Sequence, residues 1–178
     1  PSKPAKAMNS PCSASGSGEA PARYEIDVQV DPLVCLEIPA DDLVAFAAAA
    51  LRALAQPVGT ELAIVVTTDD GVRELNRGFR GVDEPTDVLS FSAAGGPEFV
   101  TPAGLPPYLG DVILSYPTAV RQAAARGGTL RSELALLVVH GCLHLGGCDH
   151  ATPEERCAMW ERQNAILADL GFPAPSDV

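Results

Sequence analysis

All three histidines of the chain fall within residues 140–150, HGCLHLGGCDH, and few folds can accommodate that segment. His140 and His144 stand at i and i+4, so on a helix they share one face, with Cβ atoms about 6 Å apart. Gly146 and Gly147 follow, and glycine takes a left-handed turn at little steric cost. Such a turn can carry His150 back toward the other two rings. Three neutral imidazoles meeting at one point leave a tetrahedral ion a single open position, the arrangement of catalytic rather than structural zinc. Asp149, beside the third histidine, or a backbone carbonyl is placed to orient an imidazole from behind. Zinc is the expected ion, one per chain. Imidazole also suits nickel, copper and iron, so Ni2+ or another divalent metal is an alternative.

The spacing H-x3-H-x5-H, with glycine at its eighth position, also occurs in the metzincin protease signature. There a glutamate follows the first histidine and activates water as a general base. Here that position is Gly141, which cannot take a proton, and this argues against peptide hydrolysis. The five cysteines include no CxxC pair and read as reduced thiols packed as small hydrophobes. Cys142 lies on a helical face roughly opposite the histidines. Cys148 lies in the turn and is the more plausible fourth ligand, should one exist.

A second pattern lies upstream, in ELNRGFRGVDEPTDVLSF (74–91). Arg73, Arg77 and Arg80 are spaced i, i+4 and i+7, one face of a helix that extends so far. A guanidinium pairs bidentately with phosphate and keeps its charge at any cellular pH. An arginine row therefore suits a phosphate-binding cleft, with Arg73 and Arg77 as candidate substrate-binding residues. The formal net charge of −11 works mildly against a general nucleic-acid binder, since phosphate contacts come from Lys and Arg. Global charge governs solubility and non-specific association, however, not what one cleft binds.

Periodicity supplies the scaffold. Residues 1–22 are Pro, Ser, Ala and Gly without pattern, and are expected to be a disordered tail. Residues 23–178 are expected to form one domain. From Tyr24 to Val30 apolar and polar residues alternate, as in a half-buried strand. Asp41 and Asp42 precede an Ala/Leu-rich helix; ELAIVVT (61–67) is a β-branched strand; Asp69 or Asp70 is the expected cap of a short helix through Arg77. DVLSF (87–91) and LGDVILS (109–115) read as two further strands, joined by a Gly/Pro-rich connection. Pro117 opens a helix ending near Arg126, Thr129 and Ser132 are candidate caps of the helix through the histidines, and Thr152-Pro153 opens the last helix. The sum is an α+β fold, one domain with a small mixed sheet of about four strands and about five helices. No apolar run approaches the ~20 residues that cross a bilayer, and no signal-like start is visible, so a cytoplasmic chain with no membrane partner is expected.

Taken together, HGCLHLGGCDH, NRGFRGVDEPTDVLSF and the LGDVILS between them closely resemble the YbeY family of bacterial endoribonucleases, from about residue 24 to 172 and in the same order. That resemblance implies a zinc ion on the three motif histidines and cleavage of single-stranded RNA. It further implies a role in ribosomal RNA maturation, notably at the small-subunit 3′ end, and in ribosome quality control, with ribosomal RNA or the ribosomal subunit as partner. The family's functionally important arginine falls in an R-G-x-D segment, here Arg80-Gly81-Val82-Asp83, so Arg80 is the expected catalytic residue. Two departures are Cys148, where the family usually has Tyr, and the segment before Tyr24. The chemistry expected is metal-assisted phosphodiester hydrolysis, with Arg80 neutralising charge on the phosphate; attack by the RNA 2′-OH is an alternative to attack by water. Two rival readings stand beside it: a metal-dependent hydrolase of a peptide or amide bond, and a non-catalytic, metal-holding ribosome-assembly factor.

Overall fold

The computed structural model describes residues 24–93 and 106–173; the expected tail and most of the Gly/Pro-rich connection lie outside the described residues. Four strands and five helices follow in the order β1 (Glu25–Val30), α1 (Ala40–Ala53), β2 (Glu61–Thr67), α2 (Asp69–Arg80), β3 (Val88–Ser92), β4 (Tyr108–Ser115), α3 (Tyr116–Ala125), α4 (Leu130–Leu145) and α5 (Pro153–Asp169). The sheet order is β1-β2-β4-β3. β1 and β2 are parallel, β2 and β4 are parallel, and β3 runs antiparallel to β4. A parallel pair needs a crossover, which α1 supplies between β1 and β2. The expectation of a single α+β domain with a four-stranded mixed sheet and five helices is borne out.

The two faces of the sheet bury different residues, as the period of two demands. Leu62, Ile64 and Val66 of β2 with Val112 and Leu114 of β4 enter the main core, against α1 and α4. Val65, Leu89 and Ile113 face the other way, where Val72 and Leu75 of α2 cover them. Helix α4 is buried nearly all round from Leu134 to Cys142, because it packs on the sheet and is flanked by α1, α3 and α5. Such a helix can be apolar on every side, without an amphipathic stripe.

Capping sets where the functional segments start and stop. Of the two candidate caps of α4, Thr129 is the N-cap and Ser132 completes a capping box with it, and Thr152 with Glu155 forms another at α5. At α2 the expectation is corrected: the cap is Thr68, whose side chain accepts from the Gly71 N–H. Asp69 is drawn off by tertiary partners, accepting from Ser115, Thr118 and Arg121 of the neighbouring helix start. The helix also runs on to Arg80 rather than ending at Arg77, with Gly81 in the left-handed conformation at φ 71° closing it. Beyond it, residues 81–84 fold back along the helix. The buried Asn76 donates to the Glu84 carbonyl at 2.7 Å, and Arg73 grips both carboxylate oxygens of Asp83 at 2.8 and 3.0 Å.

Candidate metal centre

His140 and His144 project from the last two turns of α4 toward one open cleft, with Nε2 atoms 3.1 Å apart. Tetrahedral nitrogen ligands at about 2.0–2.1 Å from an ion stand roughly 3.3 Å from one another, so this pair is already set at coordination distance. After Leu145 the chain reverses. Gly147 N–H reaches the His144 carbonyl and Cys148 N–H the Leu143 carbonyl, with Gly147 at φ 83°, a Schellman ending. Only Gly147 is left-handed. Gly146 is needed for room, because a Cβ there would lie 2.7 Å from the Leu54 side chain at the end of α1. The link from this ending to the Thr152 cap of α5 is four residues long and carries His150. One ligating atom from each of His140, His144 and His150 lies within 4.8 Å of the others.

Burial and hydrogen bonding prepare the rings. Burial holds the imidazole of His140 below its usual pKa, and His144 is lowered by burial and by the two neighbouring histidines. Both shifts favour the neutral ring that a metal requires. His140 Nδ1 lies 3.0 Å from Oε1 of Gln163, a residue of α5 that is 1% exposed. An amide oxygen only accepts, so Nδ1 carries the proton and Nε2 is left bare for an ion. The donor set therefore fits a divalent, imidazole-seeking metal such as zinc. Among the described residues no Cys, Asp or Glu joins the cluster as a fourth ligand. Cys142 is fully buried in the core, its thiol pushed up to about 12. Cys148 turns toward Arg162, whose Nη1 is 3.7 Å from its Sγ.

Gln163 was not legible in the sequence, since it sits 23 positions from His140 on another helix. Asp149, expected from sequence to orient a ring, lines the cleft and accepts from the backbone N–H of His150 at 2.8 Å, which stiffens the turn. Removing the amide should therefore loosen the ion rather than the fold. Gln163→Leu is expected to weaken zinc affinity by about 10- to 100-fold, read by competition with a chromogenic chelator, while Gln163→Glu restores most of it.

Around the histidines the cleft has a volume of about 550 Å³ and is lined by Arg80, Thr86, Asp87, Val88, Ser90, Ser92, Leu145 and Asp149. Arg80 is exposed and has no ion-pair partner among the described residues. Arg73 and Arg77 do not line the cleft; Arg73 is held by Asp83, and each member of that pair shifts toward its charged form because of the hydrogen bonds between them. The structure thus brings one of the three arginines to the histidines. Asp87 is a cleft residue that the sequence pattern marks only as the start of a strand. Its Oδ1 accepts from Val88 N–H and the Thr86 hydroxyl and its Oδ2 from Gln122, so both oxygens already have protein partners.

Gly141 has a structural reason. A Cβ there would stand 2.7 Å from Val112 Cγ1 and 3.1 Å from Ser90 Oγ, and the Ser90 hydroxyl donates to the Gly141 carbonyl at 3.2 Å. Helix α4 lies so close to β3 and β4 that no side chain fits between. Gly141→Glu, which would complete a protease-like HExxH, is expected to cost about 1–3 kcal/mol of stability, measured as a drop of several degrees in Tm.

Residues 36–171 match the family model described as Endoribonuclease YbeY. A protein named Endoribonuclease YbeY from Chloroflexus aurantiacus is 46% identical over 153 residues, spanning 84% of this chain and 97% of that one. Its namesake from Roseiflexus castenholzii is 44% identical over 154 residues, 85% and 96% of the two chains. Among solved structures, the solution structure of TM1509 from Thermotoga maritima is similar with a TM-score of 0.51 at 20% identity, covering 83% of this chain and 91% of that one. That likeness speaks to the fold.

Proposed function

This chain belongs to the YbeY family of endoribonucleases, and from that premise we propose that it is a zinc-dependent endoribonuclease that cuts single-stranded RNA. Its physiological substrate on this reading is ribosomal RNA in the cytoplasm, at the small-subunit 3′ end, with a further part in ribosome quality control. The observation that carries the chemistry is one cleft holding both a three-imidazole donor set and an uncompensated arginine.

His140, His144 and His150 hold the ion and, being neutral, leave its full double charge available. When bound, zinc polarises a phosphoryl oxygen and lowers the pKa of a water from ~15.7 toward ~7. Arg80 reaches the same space from the end of α2 and donates to the scissile phosphate, where its fixed charge offsets what develops in the transition state. Gln163 keeps the His140 proton on Nδ1 and the ring aimed. A bound strand excludes water from the cleft wall formed by Val88 and Leu145. The arrangement accommodates attack by water or by the RNA 2′-OH.

The rival readings are less well supported. Peptide hydrolysis wants a free carboxylate near the metal, whereas Gly141 leaves no room for one and Asp87 is engaged on both oxygens. A purely structural metal wants a fourth protein ligand, and the described residues offer none. The deciding experiment is metal analysis of the purified protein beside RNA and casein digestion, with and without chelator. RNA cleavage that tracks metal content supports the proposal; full nuclease activity after exhaustive metal removal would sink it.

A further inference from the structure

Phe79 is 71% exposed, at the penultimate position of α2. One side of its ring rests on Phe91, with centroids 4.8 Å apart and planes tilted by 57°. Neither ring lines the cleft itself, but their neighbours in sequence do. Arg80, the next residue, lines it, as do Ser90 and Ser92 on either side of Phe91. Along β3 the serines face α4 and the metal centre, while Leu89 and Phe91 face α2. β3 ends the sheet order. A strand leaving the histidines past Arg80 would therefore round this edge onto the outer face of Phe79.

Charge explains why such a platform is useful. The chain carries 12 Lys and Arg against 23 Asp and Glu, and Arg73, Arg121, Arg126 and Arg131 are each paired with a carboxylate. Of the described arginines only Arg80 lines the histidine cleft, so in a chain this acidic affinity there gains from a contact that charge does not weaken. A flat aromatic face meets that need, because every base has a π-face and stacking tolerates any sequence. It also selects against duplexes, whose bases already stack on one another.

We propose that the exposed ring of Phe79, seated on Phe91 at the rim of the histidine cleft, stacks on an unpaired base of the RNA strand whose phosphate Arg80 holds. The proposal rests on the ribonuclease reading and adds to it a substrate subsite outside the metal centre. Two substitutions separate stacking from support of the fold. Phe79→Leu keeps an apolar cover on Phe91 but removes the flat face; Phe79→Trp keeps the face.

The probe is a cleavage-resistant 2′-O-methyl phosphorothioate oligoribonucleotide, with 2-aminopurine moved along it one position at a time and binding followed by anisotropy on the metal-loaded full chain. Phe79→Leu should weaken binding about tenfold, and the loss should persist at high salt, whereas Phe79→Trp should bind like the unaltered protein. One 2-aminopurine position should be quenched by the unaltered chain and by Phe79→Trp but not by Phe79→Leu, and an abasic site there should erase the difference. Equal binding by all three proteins overturns the stack while leaving the ribonuclease reading intact. Equal loss in both variants also overturns it, since the ring would then merely support Arg80. If the unaltered chain neither binds nor cleaves RNA, the ribonuclease reading falls and takes the stack with it.

Discussion

His140→Ala is expected to strip the purified protein of zinc and reduce RNA cleavage by about a thousandfold or more. The scale follows from what is lost: removing a single preorganised hydrogen-bond donor from a transition state costs about 10²–10³ in rate, and here the whole charge of an ion is removed. His140 should be the most damaging of the three positions. Its ring is held from behind by Gln163, at 3.0 Å, and its Nε2 sits 3.1 Å from that of His144, at coordination distance. His150 lies exposed on the turn, where the chain can adjust or water can replace a ring. Zinc content should therefore fall in the order His140→Ala, His144→Ala, His150→Ala, measured by elemental analysis after brief dialysis against chelator. The fold should survive, because Leu134, Val138, Cys142 and Leu143 retain the packing of α4. If His140→Ala cleaves at the original rate with no metal present, the ion has no part in the chemistry.

Features encoded within a few residues are legible in the sequence. The i, i+4 histidines, the glycine turn and the helix starts at Thr129 and Thr152 are local, and the structure has them where the spacing put them. What escaped was decided by partners distant in sequence. Asp69 is as good an N-cap residue as Thr68 on propensity alone; Ser115, Thr118 and Arg121, about 50 positions away, recruit it for another purpose. Gln163 looks like any polar residue of a helix until α5 is laid against α4. The arginine row was read as one face, yet Arg73 closes on Asp83 ten residues later, which only the reversal at Gly81 allows. Gly141 was read for the side chain it lacks. Its reason lies across the helix–sheet interface, in Val112 and Ser90.

That sorting of the arginines gives the second large prediction. Arg80→Ala should leave zinc content and Tm unchanged within error while lowering cleavage by about 10²–10³-fold. Zinc should be untouched because Arg80 is not among the residues that gather to hold an ion; stability should be untouched because the side chain is exposed and has no ion-pair partner among the described residues. The fall should be mainly in kcat, since a guanidinium that meets growing negative charge contributes more in the transition state than in the bound ground state. Arg80→Lys should recover only part of the rate, because an ammonium keeps the charge but cannot span two phosphate oxygens in one plane. Arg77→Ala makes the paired control. It removes the same charge one turn back, outside the cleft, and should change cleavage by no more than a few-fold, with its effect fading as salt is raised. Equal losses at the two positions would mean that general attraction of RNA, rather than placement of one guanidinium beside the metal, accounts for the arginine's effect.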